Sequence, residues 1–343
     1  MTAADLCIVA GAFVFAVIAT GIMRRYALQR DLIDVPNSRS SHSAPTPRGG
    51  GVAIVAAFLG AVLAIGMSGQ LPVGLVMALF VGGGAVAVVG FLDDRRALRA
   101  GVRFAVHLGA ALLTVYLLGG ISESGLAPWG MHGVWAGAVI AILALVWATN
   151  LFNFMDGIDG IAAAETVFMA CAGAWINVSH GGDFGLTGAM LCLAAASLGF
   201  LRWNWPPARI FMGDVGSGFI GFALVSLGLA ANRGGGTVPF EVWGILGGVF
   251  LVDATVTLVR RIARGERWFE AHRLHAYQHL ARRWNSHLPV TTSVLVINVV
   301  WLLPWALAAA SFPARAPMFL AAALVPLAAL FLACGAGARE RLI

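Results

Sequence analysis

The sequence contains no lysine, and only 11% of its 343 residues are charged. A soluble domain has about 25% charged residues, so an ordinary soluble fold is excluded. The four cysteines are widely spaced in apolar sequence and form neither a metal-binding nor a disulfide pattern, which favours a packing role. What is abundant is apolar sequence, at 59% of the residues, which is typical of a membrane protein.

Long apolar runs recur along the chain. A helix needs about 20 apolar residues to cross a bilayer. We find no internal repeat and predict an all-α polytopic membrane protein, a single integral-membrane domain over residues 1–343. About eleven transmembrane helices are expected, at approximately 5–23, 50–67, 72–91, 102–119, 131–149, 160–178, 186–201, 215–231, 239–259, 290–311 and 315–334.

The arginines indicate the orientation. With the N-terminus outside, twenty of the 22 arginines fall in cytoplasmic segments, and only Arg233 and Arg315 fall outside. This asymmetry is a strong positive-inside signal. The first basic residues follow the first apolar run, so we expect a first span rather than a cleavable signal peptide. The prediction is a periplasmic N-terminus, a cytoplasmic C-terminus and cytoplasmic loops at about 24–49, 92–101, 150–159, 202–214 and 260–289.

Five aspartates lie at the ends of predicted spans on the cytoplasmic side: Asp93, Asp94, Asp156, Asp159 and Asp214. Acids beside a membrane span are costly unless they bind something. Since the orientation was chosen from the arginines alone, the position of these acids on one face predicts a single site. An adjacent pair such as Asp93-Asp94 could also be an ordinary polar helix end neutralised by the arginines that follow it.

The richest motif is Asn150-x-x-Asn153-x-x-Asp156-x-x-Asp159. A spacing of three keeps side chains near one face of a helix, although two glycines within the motif favour a helix end or a re-entrant loop. Amides can contact a base or a sugar, and carboxylates can bind a metal. A helix cap would explain one or two of these residues, whereas four at fixed spacing favour a functional role.

Two glycine-rich segments are candidates for contact with phosphate. In Phe211-Met-Gly-Asp214-Val-Gly-Ser, small residues beside Asp214 would let a phosphate or a metal approach a helix N-terminus, and Phe211 could stack on a planar base. The alternative for Asp214 is a helix cap. Arg48 precedes three glycines in the proline-rich loop 31–51, which by itself is typical of a flexible connection.

The segment 260–289 contains seven arginines, and three of its histidines, His272, His275 and His279, lie within eight residues. His275 and His279 are four residues apart, on one helical face, and such a pair can bind zinc. No thiol or acid is placed to complete a zinc site, so contact with phosphate by histidine and arginine is favoured. A basic loop on anionic lipid would explain the arginines but not the histidines.

In this order, the motifs resemble those of the polyprenyl-phosphate N-acetylhexosamine-1-phosphate transferase family, and most of all its O-antigen-initiating branch. The resemblance covers nearly the whole chain. The matching pieces are Asp34-Val-Pro-Asn-Ser-Arg, Pro45-Thr-Pro-Arg-Gly-Gly-Gly, Gly90-Phe-Leu-Asp-Asp, Asn150-x-x-Asn-x-x-Asp-Gly-x-Asp-Gly, Asn204-Trp-Pro-Pro-Ala, Phe211-Met-Gly-Asp-Val-Gly-Ser and the histidine segment.

The resemblance implies ten or eleven helices in the bacterial inner membrane, with a cytoplasmic active site. It also implies magnesium, with manganese as the alternative ion. The implied partners are a UDP-N-acetylhexosamine, undecaprenyl phosphate, the lipid bilayer and a second copy of the chain, with no nucleic acid. The implied reaction yields undecaprenyl-diphosphate-sugar and UMP, and it initiates O-antigen or another cell-surface polysaccharide.

The resemblance also assigns residue roles. The metal ligands would be Asp214 and Asp94. The catalytic set, in which Asp93 and Asp94 handle the lipid phosphate and one of them is a candidate base, would be Asp93, Asp94, Asp156, Asp159, His272 and His275. The substrate-binding set would be Arg48, Asn150, Asn153, Asn204, Phe211, Arg273 and His279. Magnesium usually binds one or two carboxylates together with substrate phosphates, which agrees with this assignment.

Alternative functions can be compared with this one. The histidine segment is less dense than in lipid I translocases, which favours GlcNAc or a 6-deoxy sugar (FucNAc or QuiNAc) over muramyl-pentapeptide as the transferred group. A transferase acting on CDP-alcohols needs two later acids, where this chain has Asn177 and Gly181. A transporter would explain Asp253 inside the span 239–259, but transporter sites usually lie near the membrane midplane between internal repeats. Hydrogen bonding within the bundle is the other interpretation of Asp253.

Overall fold

A computed structural model describes residues 1–36, 44–131, 133–233, 238–266 and 272–339. The described chain is mostly helical, because a backbone in hydrocarbon must satisfy its own hydrogen bonds. The helices are α1 Ala3–Gln29, α2 Gly51–Met67, α3 Val73–Arg95, α4 Ala100–Leu118, α5 Glu123–Leu126, α6 Val134–Met155, α7 Ile161–Ser179, α8 Phe184–Asn204, α9 Asp214–Asn232, α10 Glu241–Leu246, α11 Gly248–Ala263, α12 Ala276–Trp284, α13 Leu288–Ser311 and α14 Ala316–Ala333.

A few short elements complete the described chain. Strands β1 (Ile33–Asp34) and β2 (Thr46–Pro47) pair antiparallel. The π-helical turn Ala78–Gly83 lies inside α3, and the π-helical turn Asn298–Leu302 lies inside α13. The 3₁₀ turn Ala127–Trp129 precedes the predicted span 131–149, and the 3₁₀ turn Pro313–Arg315 precedes α14.

Nine helices of the described chain are long and apolar enough to cross a membrane. They coincide with nine of the eleven predicted spans and confirm an all-α polytopic membrane protein. The predicted count of eleven is not confirmed. The span 50–67 is α2, with only 17 residues, and the span 239–259 is divided into α10 and α11 at Gly247. Glycine favours such a break because it has a low helix propensity.

Helix α9 is the centre of the bundle. In its apolar window 83% of the residues are buried, and it contacts α2, α3, α4, α6, α7 and α8. Small residues permit this packing: a Cβ on Gly221 would lie 2.2 Å from the carbonyl oxygen of Ala148 in α6. Close backbone contact is a main source of helix association in lipid. The most firmly held helix of the fold therefore begins at Asp214.

The chemistry-bearing segments meet at one end of this bundle. Helix α3 ends just after Asp94, α6 ends just before Asp156, and α9 begins at Asp214. Helix α1, by contrast, has only 17% of its apolar window buried, as expected for a surface that faces lipid. The fold thus gathers the predicted acids beside the central helix and leaves apolar side chains outward.

Candidate active site at the start of α9

Two glycines bring the acids of α3 to the start of α9. A Cβ on Gly90 would lie 2.5 Å from the carbonyl oxygen of Asp214, so only glycine allows the two backbones to approach this closely. Gly213 has φ +78°, and a Cβ there would lie 2.5 Å from Asp94 Oδ2. The glycines flanking the acids in the sequence therefore create the space in which the acids meet.

Asp94 caps α9 from the neighbouring helix. Its Oδ1 accepts the N–H of Asp214 at 2.9 Å, and its Oδ2 accepts the N–H of Val215 at 3.2 Å. The first N–H groups of a helix have no partner within that helix. Asp94 thus takes the capping role that the sequence offered to Asp214. Both of its oxygens already accept main-chain N–H groups, and its role as a metal ligand and base stays a prediction.

Arg48 is held between two aspartates. The segment 47–51 pairs with Phe211 and Met212: the N–H of Phe211 donates to the oxygen of Pro47 at 2.8 Å, and the glycine N–H groups at 50 and 51 donate back, each at 2.9 Å. This pairing places Arg48 Nη2 2.7 Å from Asp214 Oδ1 and 2.8 Å from Asp94 Oδ1. The described part of loop 31–51 is therefore an ordered element of the site, and not a flexible connection.

Asp93 forms a separate pair with Arg103. Its Oδ2 accepts a hydrogen bond from Arg103 Nη1 at 2.5 Å, and its Oδ1 accepts the N–H of Leu98 at 2.6 Å. Because both oxygens are engaged, the structure disfavours Asp93 as a general base, and its catalytic role stays a prediction. Arg103, which also lies 3.7 Å from Asp214 Oδ2, was missed from the sequence. Its signal was a cation at the start of a predicted span, where charge is costly.

Asp156 lies just past the end of α6 and is half-buried. Removal from water, and then the negative charge of Asp214, raise the pKa of Asp156 well above its usual range, while Arg48 opposes the rise. A cation bound nearby would have the opposite effect and release the proton.

The acid cluster fits magnesium. It contains four carboxylates and two guanidinium groups, so it is negative when ionised: Asp93, Asp94, Asp156 and Asp214 against Arg48 and Arg103. No three histidine, cysteine or acidic side chains in the described ranges form a metal site by themselves. Magnesium does not need such a set, because it binds one or two carboxylates and completes its shell with water and phosphate. Asp214 suits this best, since its side chain is 19% exposed and lines a cavity.

Asp159 faces a different cavity from Asp214. Its Oδ2 accepts the N–H of Ala208 at 2.9 Å, and its Oδ1 lies 3.1 Å from His287 Nδ1. The expectation of a single site for the five aspartates is therefore corrected for Asp159. The physical reason is that α6 ends at residue 155, so the glycine-containing turn that follows carries Asp159 away from the helical stripe.

A cavity of about 220 Å³ lined by Arg48 and Asp94, and two larger cavities, contain predicted site residues. The acid groove, of about 340 Å³, lies between α3, α4, α6 and α9 and is lined by Val86, Val89, Arg103, Phe104, Asn150, Asn153 and Asp214, among others. The loop cavity, of about 520 Å³, is lined by Thr46, Asp159, Ala208, Phe211, Arg282, Asn285 and His287, among others. The first offers an apolar wall with a charged end, and the second offers one aromatic ring among polar groups.

The three predicted asparagines have different positions. Asn150 and Asn153 line the acid groove, where their amides donate to the oxygen of Val146 at 2.7 Å and to Ser217 Oγ at 3.4 Å. Asn204 is only 3% exposed, and its amide is used on both sides: Oδ1 accepts the N–H at residue 160, and Nδ2 donates to the oxygen at residue 210. Asn204 therefore joins two loops, and its contact with substrate stays a prediction.

His272 and His275 lie together, with ring centroids 4.9 Å apart. Burial, and then the charge of His275, lower the pKa of His272 to about 3, so it is neutral at pH 7. His272 Nδ1 accepts the N–H of Leu274 at 3.3 Å, which leaves its Nε2–H as a hydrogen-bond donor. His275 is 3% exposed, and its contact with a phosphate stays a prediction.

The remaining members of the histidine segment contact Arg282. Its Nη2 donates to the carbonyl oxygen of Arg273 at 3.1 Å and lies 3.0 Å from His279 Nδ1. His275 precedes α12, whereas His279 is inside it, so the two do not form the predicted pair on one helical face. Arg273 and His279 therefore support the segment, and their contact with substrate stays a prediction.

Known proteins are similar to this chain over most of its length. The family model "Glycosyl transferase family 4" matches residues 76–232. A Bacillus subtilis protein named a probable undecaprenyl-phosphate N-acetylglucosaminyl 1-phosphate transferase is 33% identical over 287 residues, 82% of this chain and 78% of that protein. A decaprenyl-phosphate N-acetylglucosaminephosphotransferase of Mycobacterium tuberculosis is 33% identical over 85% of this chain and 78% of its own length. A phospho-N-acetylmuramoyl-pentapeptide-transferase of Synechococcus sp. is 31% identical over 74% and 72%, respectively.

Proposed function

Because this chain belongs to the polyprenyl-phosphate N-acetylhexosamine-1-phosphate transferase family, we propose that it transfers an N-acetylhexosamine 1-phosphate from a UDP-sugar to undecaprenyl phosphate. One observation carries the proposal: the carboxylate of Asp214 lies at the charged end of a groove whose walls are apolar. A lipid phosphate has the same division, with an anionic head on an apolar chain. The names of the relatives support a polyprenyl phosphate as the acceptor.

The acid groove is the proposed acceptor site. Its apolar walls, which include Val89 and Phe104, suit a polyprenyl chain, and Arg103 at its charged end suits the phosphate. The side chain of Arg103 is 35% exposed, so it can bind a second anion while it pairs with Asp93. A phosphate monoester is already largely ionised at pH 7 and needs no strong base to become a nucleophile. This agrees with the engaged oxygens of Asp93 and Asp94.

The loop cavity is the proposed donor site. The ring of Phe211 in its wall can stack on a planar base, and Arg282 can bind a phosphate. Phe211 also precedes Asp214 by three residues, so a nucleotide bound against Phe211 can extend its diphosphate toward the acid cluster. The donor and the acceptor would then approach Asp214 from two sides.

The proposed chemistry is a direct displacement. An oxygen of the lipid phosphate attacks the β-phosphorus of the UDP-sugar, the bond from that phosphorus to the bridging oxygen breaks, and UMP leaves. Magnesium held by Asp214, with Asp156 nearby, would neutralise the diphosphate. Arg48 and Arg103 bring positive charge to the two sides of Asp214, so the chain contributes mainly positioning and charge stabilisation.

For the transferred sugar we propose GlcNAc or a 6-deoxy-HexNAc, and for the pathway O-antigen or another cell-surface polysaccharide. The support is the His272-Arg-Leu-His275 segment together with the GlcNAc named for two relatives. A muramyl-pentapeptide donor is the second candidate, favoured only by more distant relatives. The arginine asymmetry supports an active site that faces the cytoplasm at the inner membrane.

A panel of UDP-sugars tests the donor and the reaction together. Purified protein is incubated with Mg²⁺, undecaprenyl phosphate and UDP-GlcNAc, UDP-QuiNAc, UDP-FucNAc or UDP-MurNAc-pentapeptide, and UMP release and the lipid product are measured. We expect a lipid-dependent product with a HexNAc donor and none with the pentapeptide donor. Product with the pentapeptide donor alone would establish the second candidate, and no product with any donor would reject the transferase. In sealed vesicles, activity is expected only where the cytoplasmic face is outward.

A further inference from the structure

Asp253 sits inside the bundle and holds the start of another helix. It lies on α11 and is 1% exposed. Its Oδ1 accepts the N–H of Ala276 at 2.8 Å, and its Oδ2 accepts the N–H of Tyr277 at 3.1 Å. These are the first two residues of α12, whose N–H groups lack partners within their own helix. A carboxylate that accepts two N–H groups binds them more strongly than a neutral cap would.

The capped helix contacts the chain segment that carries Asp156. The hydroxyl of Tyr277 donates to the carbonyl oxygen of Phe154, at the end of α6, at 3.0 Å. A Cβ on Gly157 would lie 2.1 Å from the same hydroxyl, so Tyr277 fills the space directly beside Asp156. One buried carboxylate thereby fixes the residue that holds the turn on which Asp156 lies.

The same cap fixes the histidines. His275 immediately precedes α12, and its Nδ1 lies 3.6 Å from Asp253 Oδ1. The His275 ring is stacked on Tyr277, with centroids 5.7 Å apart. The turn that follows α14 also contacts these residues, because the N–H of Gly337 donates to the oxygen of Leu274 at 2.7 Å. The histidine segment is therefore held both by Asp253 and by the turn after α14.

We propose that Asp253 is a positioning residue for the transfer reaction: by capping α12 it sets His275 and Tyr277, and through Tyr277 it sets Asp156, relative to Asp214. This rests on the function proposed above. An ion path for transport is not consistent with the carboxylate, since both oxygens are engaged by main-chain N–H groups. A cap that served stability alone would not need the hydrogen bond from Tyr277 to Phe154, next to the turn that carries Asp156.

The test compares two capping aspartates. Asp253→Asn keeps the size of the side chain but turns an NH₂ group toward one of the two N–H groups. Asp183→Asn is the matched control, because Asp183 also caps a helix: its Oδ1 accepts the N–H groups of Gly185 and Leu186 at 2.6 and 3.0 Å. Asp183 lies at the start of α8, at the opposite end of that helix from Asn204. Both variants are purified, and thermal midpoint, kcat and KM are measured.

We expect kcat of Asp253→Asn to fall about 10–100-fold, the usual effect of losing a residue that orients a site. The KM for undecaprenyl phosphate should stay within about twofold, because Asp253 does not line the acid groove. Asp183→Asn should keep wild-type kcat even if its thermal midpoint falls by a similar amount. Wild-type kcat in Asp253→Asn, or an equal loss in both variants, would overturn the proposal.

A second variant and a second readout cover the remaining outcomes. If Asp253→Asn does not fold, Tyr277→Phe removes only the hydroxyl that reaches Phe154, and we expect it to lower kcat about tenfold; unchanged kcat there would overturn the proposal. Amide hydrogen exchange at residues 276 and 277 should accelerate in Asp253→Asn whether or not turnover is observed. An inactive wild type would reject the transferase, while unchanged exchange would reject the cap itself.

Discussion

Asparagine in place of Asp214 is expected to lower turnover roughly 10³-fold, the upper end of the loss seen when one group that stabilises developing charge is removed. The amide has the same shape, and its oxygen can still accept from Arg48, which lies 2.7 Å from Asp214 Oδ1. What is lost is the negative charge at the end of the acid groove, and with it the main ligand for a divalent cation. UMP release at saturating Mg²⁺ and binding of Mn²⁺, followed by electron paramagnetic resonance of the free ion, measure both effects.

The matched control is Glu241→Gln. Glu241 is another poorly exposed acid that accepts a strong hydrogen bond, from Trp129 Nε1 at 2.6 Å. It belongs to α10 rather than to the acid cluster. Losing its charge should leave turnover and Mn²⁺ binding unchanged. Turnover of Asp214→Asn within a few fold of wild type would remove Asp214 from the chemistry, whatever the result for the control.

Removal of Arg48 is expected to separate catalysis from cation binding. Arg48→Ala should lower kcat about 10²-fold or more, because the positive charge beside the diphosphate is lost. The same change should tighten Mn²⁺ binding about tenfold in the absence of substrate, because the cluster then has one positive charge fewer within 3 Å of Asp214. Arg48 and Asp214 variants would thus both lose turnover while shifting cation affinity in opposite directions.

Two further variants make this result specific. Arg48→Lys keeps the charge but not the planar fork that reaches both Asp94 and Asp214, so we expect kcat between those of Arg48→Ala and wild type. Arg24→Ala is the control, since Arg24, which lies outside the acid cluster, donates to the oxygen of Arg209 at 3.2 Å. Weaker Mn²⁺ binding in Arg48→Ala would mean that Arg48 supports the cation site instead of competing for its carboxylates.

The membrane fold was largely predictable because its signal is long and redundant. Nine predicted spans coincide with helices, since a run of about 20 apolar residues has few alternatives in lipid. Span 50–67 also coincides with a helix, α2, although its 17 residues are at the short end of a spanning length. Span 239–259 is the exception, because its helix breaks at Gly247, where neighbouring side chains rather than hydropathy decide the helix end.

The site was predictable as a set of residues but not as a geometry. The sequence predicted that Asp214 and Asp94 belong to one site, yet it could not show that Asp94 would cap α9 from another helix. Periodicity suggested that Asp159 continues a stripe, whereas the helix ends before it. Arg103 and Tyr277 were missed because their roles depend on contacts between helices that are far apart in the chain.

Isotope exchange tests phosphosugar transfer most directly. Purified protein is incubated with radiolabelled UMP, undecaprenyl phosphate, Mg²⁺ and unlabelled UDP-HexNAc, and label is measured in the UDP-sugar. Because the proposed reaction is reversible and needs the lipid acceptor, we expect label in the UDP-sugar only when both Mg²⁺ and undecaprenyl phosphate are present. Folded protein that gives no exchange with any UDP-HexNAc, or exchange that does not need the lipid, would contradict it.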